Sequence, residues 1–165
     1  MYDLRQISNY VHSIHSRYWI DTNGSVYTSI QNGNYRIMIN GNLKNVRCFV
    51  NENLSKTNTS DRQILPIEGC ENYFLKNDGN VLKRLATRVD TIGVVDVCLT
   101  TLMGRDKGDR FRIHRLMGYV FMGLKEGQEV HHKDQDRKNN KLGNLECLSF
   151  DQHRGKNHFT SNHNL

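Results

Sequence analysis

The sequence predicts an α+β protein, with N-terminal antiparallel β-hairpins followed by a C-terminal unit of strand, long loop, strand and helix. Three observations carry that prediction. Asn23-Gly24, Asn32-Gly33 and Asn40-Gly41 separate segments of alternating or β-branched residues, and Asn-Gly is the strongest short signal for a two-residue hairpin turn. Glu129 to His158 holds two adjacent histidines, an Asn-rich loop, a short apolar strand and a further histidine. Just upstream, His114 to Met122 places Leu116, Met117, Val120 and Phe121 on one helical face.

At the N-terminus, Leu4, Ile7, Val11 and Ile14 recur at helical spacing, which predicts an amphipathic helix over Tyr2 to Ser16. His12 and His15 stand three apart on it and read as solvent-facing rather than as metal ligands. Tyr18 to Val50 reads as an antiparallel meander, with Arg36, Lys44 and Arg47 on an exposed ribbon of the kind that enters a DNA groove. Asn51 to Asp61 is almost wholly polar and reads as a linker. YFLKNDGNVLKRL from Tyr73 aligns with YWIDTNGSVYTSI from Tyr18 at an offset of 55, which predicts an internal duplication. Two parts follow: residues 1–70, a helix and hairpin module read as DNA-binding, and residues 71–165, a second hairpin module leading into a core at about 112–160.

Lysine and arginine number 23 against 17 acidic residues, a formal charge of +6, which favours a polyanionic partner. No apolar run approaches the ~20 residues that span a bilayer. MYDLRQISNY lacks a basic then apolar leader, so the expected location is the cytoplasm, with no membrane partner. Cys48, Cys70, Cys98 and Cys147 form no CxxC pair. They read as reduced thiols rather than disulfides or a structural zinc site.

In the C-terminal unit, Gln128 to His132 can extend, Lys133 to Gly143 is a polar loop, and Leu145 to Leu148 forms a second strand. Ser149 with Gln152 three residues on fits a capping box that opens a helix. Packing the hairpin on that helix lets His131, His132 and His153 converge. Lys133, Arg137, Lys138, Lys141, Arg154 and Lys156 surround them and are candidates for phosphate contact. Asp134 and Asp136 lack the glycine and glutamate of a calcium loop and read as loop-stabilising. Asn139 and Asn140 read as turn formers, and His114 as packing or capping. His158 lies out of helical phase with His153 and is a second-choice ligand.

HHKDQDRKNNKLGNLECLS followed by DQHRGKNH, with IHRLMGYVFMG upstream, resembles the HNH endonuclease family and its ββα-metal fold, most closely the phage and intron-encoded homing endonucleases. The likeness covers Arg112 to His158. It implies that His132 is the general base, that Asn144 braces the loop and keeps the base oriented, and that His131 and His153 hold one divalent ion. His131 stands where the family commonly has aspartate. Mg²⁺ or Mn²⁺ is expected, and Zn²⁺ is compatible with the imidazole donors.

The resemblance further implies metal-dependent hydrolysis of double-stranded DNA, by a monomer that nicks or a homodimer that cuts both strands, in the host cytoplasm if the gene is phage-borne. Target choice is expected from the hairpins, through Arg36, Lys44, Arg47, Lys83, Arg84 and Arg88. A fragment from near Arg105 would then keep weak, unselective cleavage. Two other readings stay open: a DNA-binding protein whose nuclease site has decayed, and a histidine cluster that binds zinc only to hold a small fold together.

Overall fold

The computed structural model describes residues 3–30, 36–39, 42–45, 64–67, 70–76, 80–102 and 108–159. Its first strands are β1 (Leu4–Gln6), β2 (Tyr18–Asp21), β3 (Val26–Ile30), β4 (Arg36–Ile39), β5 (Asn42–Asn45), β6 (Ile64–Ile67), β7 (Cys70–Lys76) and β8 (Val81–Arg84). Six of them make one sheet in the order β1-β2-β3-β8-β7-β6. The sheet is symmetric in register. Tyr18, Trp19 and Ile20 face Thr28, Tyr27 and Val26, while Tyr73, Phe74 and Leu75 face Lys83, Leu82 and Val81. Every residue of the second hairpin here lies 55 positions after its counterpart in the first. At the centre Thr28 pairs with Lys83, its own counterpart, so a local twofold axis passes through that pair. The duplication read in the sequence is built as a pseudo-symmetric sheet.

The single meander expected over Tyr18 to Val50 is corrected. β3 pairs with β8, and β4 and β5 form a separate two-stranded hairpin. The reason is burial on both faces: Val26 and Tyr27 of β3 and Val81 and Leu82 of β8 are all almost wholly buried, and strands apolar on both faces belong at a sheet centre. Asn32-Gly33, the polar run 51–61, Arg47 and Cys48 lie outside the described residues.

The expected helix over Tyr2 to Ser16 is also corrected. β1 is followed by a single 3-10 turn at Ile7–Asn9, and Ile14 bridges to Thr101. Leu4, Ile7 and Ile14 are buried as expected, but strand pairing to the sheet edge and a turn bury them. The intervening Ser8, Asn9 and Ser13 favour turns over helix interiors. His12 and His15 are exposed.

A three-stranded sheet follows, of order β11-β10-β9, from β9 (Arg88–Val89), β10 (Val95–Leu99) and β11 (Asp109–Arg112). Helix α1 (Ile113–Met117) continues through a π-helical turn, Gly118–Met122, and stops at Gly123, whose φ of 66° is a left-handed cap. Strands β12 (Gln128–His132) and β13 (Leu145–Ser149) pair antiparallel and lead into α2 (Phe150–Phe159). The capping box is formed: Ser149 N donates to Gln152 Oε1 at 3.0 Å, and Gln152 N to Ser149 Oγ at 3.4 Å. Among the described residues, no helix is long and apolar enough to cross a membrane.

The largest of three buried clusters among the described residues joins the N-terminal strands to the C-terminal unit. Ile7, Ile14, Ile20, Val26, Val97 and Leu99 pack with Ile113, Leu116, Met117, Val130 and Leu145. Cys70 opens β7, so the sheet and this core draw residues from both sides of the 70/71 division. A fragment from Arg105 would lose the N-terminal half of that core. The weak cleavage expected of it would have to come without the packing that these side chains give α1 and β12.

Candidate active site

His132 ends β12 and is 7% exposed. Its Nε2 lies 3.2 Å from Asn140 Oδ1. The orientation of that amide is set on its other side, where Asn140 Nδ2 donates to Lys138 O at 3.2 Å. With the oxygen turned to the ring, Nε2 must carry the proton and donate, which leaves Nδ1 as the lone-pair nitrogen. Asn140, read in the sequence as a turn former, is the asparagine that touches His132.

Asn144 does different work. Its Nδ2 donates to Asp134 Oδ1 at 2.8 Å and to Asn139 O at 2.9 Å, and its Oδ1 accepts from Asp134 N at 3.2 Å. Lys133 N donates to Asn144 O at 2.9 Å. Asn144 thus laces the two ends of the loop together. The Asn139 and Asn144 amides hold the Asp134 carboxyl below its ordinary range. Gln135 completes the turn after His132 with φ of 64°, a left-handed conformation costly for a residue with a Cβ.

His131 and His153 come together across the hairpin and helix, with ring centroids 5.3 Å apart. His153 Nδ1 donates to Glu129 Oε2 at 2.7 Å, so Nε2 is the nitrogen that a metal would meet. A carboxylate behind a histidine is the usual way to fix a ligand's tautomer. Among the described residues no group of three or more His, Cys, Asp or Glu side chains is arranged to hold a metal. The donor set here is two imidazoles with a carboxylate behind one of them.

His131, His132, His153 and Glu129 line one cleft of about 400 Å³ together with Arg112, His114, Arg115, Gln135, Arg137, Ile92 and Val94. Arg112, Arg115 and Arg137 bring three guanidinium groups to its lining, against the one carboxylate of Glu129. His114 stacks edge to face on His132, with centroids 5.3 Å apart. Burial, then the positive charge that His132 and the three arginines carry or can carry, pushes its pKa down to about 4. Its Nδ1 is buried with no hydrogen-bond partner among the described residues. Arg112, Arg115, Glu129 and the contact made by Asn140 were not legible as site features, because each reaches the cleft from a different element.

The cations named from the sequence are scattered. Arg137 lines the cleft. Lys133, Lys138, Lys141 and Arg154 are exposed around it, Lys133 Nζ donating to Gly143 O at 3.0 Å and Arg154 lying over the Phe150 ring. Lys156 falls within α2. Lys83 and Arg84 are successive residues of β8 and so project from opposite faces of the sheet. Arg88 belongs to the other sheet, opposite Asp96. Arg36 and Lys44 sit opposite Asn45 and Ile37 in the β4–β5 hairpin.

Residues 111–154 match the family model described as HNH endonuclease. Over 151 residues, 88% of this chain, the sequence is 27% identical to an uncharacterized HNH endonuclease of Acanthamoeba polyphaga mimivirus, of which it spans 43%. The fold superposes on the HNH homing endonuclease I-HmuI, from a study of DNA binding and cleavage, with a TM-score of 0.55 and 19% identity. That match covers 98% of this chain and 61% of the other. The resemblance of this chain to HNH endonucleases is thereby shown, and its mixed fold of sheets and few helices matches the fold of that homing endonuclease.

Proposed function

We propose that the chain is a metal-dependent endonuclease of ββα-metal type that hydrolyses phosphodiester bonds in double-stranded DNA, of the homing kind found in phages and introns. The observation that carries the reading is His132, whose Nε2 is engaged by Asn140 while it faces a cleft walled by arginines. Histidine is the side chain most often used as a general base. His132 Nδ1 takes the proton of a water as its oxygen bonds to phosphorus; the P–O3′ bond then breaks and the 3′ oxygen leaves with a proton from solvent. Arg112, Arg115 and Arg137 neutralise the non-bridging oxygens. Asn144 holds the loop so that Asn140 keeps its place.

The donors fit a divalent ion of borderline hardness, since Glu129 leaves His153 Nε2 available and His131 replaces a carboxylate with imidazole. His131 and His153 would hold it. When bound, that ion supplies charge neutralisation at the phosphate and the leaving oxygen. Mn²⁺ and Zn²⁺ suit two imidazoles better than Mg²⁺ does. Residues of about 112–160 do the chemistry, and the pseudo-symmetric sheet from both parts of the chain makes the wider DNA contacts. One such site nicks; a homodimer or a second encounter cuts both strands. The working compartment is the cytoplasm.

Incubation of supercoiled plasmid with Mg²⁺, Mn²⁺ or Zn²⁺, against chelator, tests the reading. Nicked or linear product that depends on metal supports it. DNA binding without cutting under every metal means a decayed site, and unfolding by chelator without any cutting means structural zinc.

A further inference from the structure

The turn between β9 and β10 is fixed by its own hydrogen bonds. Asp90 Oδ1 accepts from Ile92 N at 3.0 Å and Val94 N at 2.8 Å. Asp90 N donates to Val94 O at 2.9 Å, and Gly93 N to Asp90 O at 3.1 Å. A second tie comes from the loop after β12, where Arg137 Nη1 donates to Ile92 O at 3.3 Å. At the crest of this rigid turn Ile92 is 57% exposed, although it lines the cleft that holds His131 and His132. Single exposed apolar side chains are ordinary. This one differs in standing on a turn whose backbone is hydrogen-bonded on both sides, in the lining of the cleft, with Arg137 bonded to its carbonyl.

The burial of His132 gives the side chain a task. His132 lines the cleft and is 7% exposed, so a phosphate approaches its ring more closely where the backbone leaves its regular path. Apolar wedges do this by entering between base pairs from the minor groove and unstacking a step.

Resting on the nuclease reading above, we propose that Ile92 is such a wedge: it opens the base step beside the scissile phosphate and lets that phosphate sink to His132. Arg112, Arg115 and Arg137 then receive the displaced backbone. The ligand recognised is a deformable step of duplex DNA, so Ile92 makes cleavage depend on how easily the target unstacks.

The test uses the full chain with Mn²⁺. Sequencing the ends of cut plasmid locates the scissile phosphate, and two duplexes are made around it, one fully paired and one with a mismatch at that step. Ile92→Ser is expected to cut the paired duplex roughly 10–100-fold more slowly and the mismatched one within about threefold of the parent, because the mismatch has already lost the stacking. Ile92→Leu keeps the parent's rate on both. Equal loss on both duplexes, or no loss on either, overturns the wedge while leaving the nuclease reading intact. A parent chain that cuts no DNA under any metal overturns the nuclease reading and the wedge with it.

Discussion

A Cβ placed on Gly24 would lie 2.9 Å from Asn140 Cβ and 3.1 Å from Asn140 O, so the turn between β2 and β3 is seated against the residue that orients His132. Leu142 N donates to Thr22 O at 2.8 Å beside it. Gly24→Ala should displace Asn140 and lower cleavage roughly tenfold or more, in addition to the ~1 kcal/mol that alanine costs at its φ of 79°. Gly123→Ala, at φ 66° with open space around it, carries the backbone cost alone. Plasmid cleavage and melting of the two variants side by side check this; equal activity in both would show that the Gly24 contact has no catalytic consequence.

The two asparagines should separate in kinetics. His132→Ala removes the proposed base and should lower cleavage by roughly 10²–10⁴-fold while DNA binding survives. Asn140→Ala strips the partner from His132 Nε2 and should reduce kcat with little change in KM. Asn144→Ala unlaces the loop through Asp134 and Asn139, and should raise protease sensitivity there as well as reduce kcat. Single-turnover rates with limited proteolysis distinguish them, and a loop equally resistant in both variants would contradict the division.

Local patterns were legible where neighbours in sequence decide the structure. The Ser149–Gln152 cap and the 55-residue offset are of that kind, and the offset reappears as the Thr28–Lys83 pair at the sheet centre. The Tyr2 to Ser16 helix failed because its spacing of apolar residues is also met by a strand, a turn and a bridge, and only the sheet edge at β2 decides between them. Asn140 and Asn144 are both asparagines of one loop. Which one meets His132 depends on where Gly24, more than a hundred residues away, pins the backbone. Glu129 looked like an ordinary strand residue until α2 brought His153 to it.

Metal affinity should depend on Glu129 as well as on the two proposed ligands, His131 and His153. His131→Ala and His153→Ala should each weaken metal binding and activity together. Glu129→Gln keeps the shape but loses the charge behind His153, and should weaken binding by roughly 10–100-fold. Calorimetry with Mn²⁺ and Zn²⁺ reads this directly. Parental affinity in all three variants would place the ion elsewhere.

His114 makes stability depend on pH. Its folded pKa of about 4 lies below the ordinary value of 6.5, so the unfolded chain binds the extra proton first. The neutral ring leaves stability intact above pH 6.5; the loss grows as pH falls from 6.5 toward 4 and levels off below. By pH 5 it amounts to roughly 2 kcal/mol. Urea unfolding of the parent and of His114→Phe at pH 7.5 and pH 5 isolates that share, since other groups titrate in both. An unchanged difference between the proteins at the two pH values would mean that His114 titrates normally.

Binding to duplex DNA should weaken steeply with salt, because each phosphate neutralised releases counterions and steepens the slope of log Kobs against log salt by about 0.9. The basic side chains differ in how cleanly they can be tested. Arg84 lies 4.9 Å from the Phe74 ring over a buried cluster, so its removal disturbs packing as well as charge. Arg88 is exposed on a two-residue edge strand, and Lys83 is exposed at the centre of the pseudo-symmetric sheet. Arg88→Ala and Lys83→Ala should each lower the salt slope by about 1 if the side chain meets a phosphate, with weakening that is uniform across sequences. A loss of preference between sequences at unchanged slope would instead assign that side chain to a base edge. An unchanged slope and unchanged preference in both variants would remove the six-stranded sheet and β9 from the DNA contact surface, leaving the cleft arginines as the source of affinity.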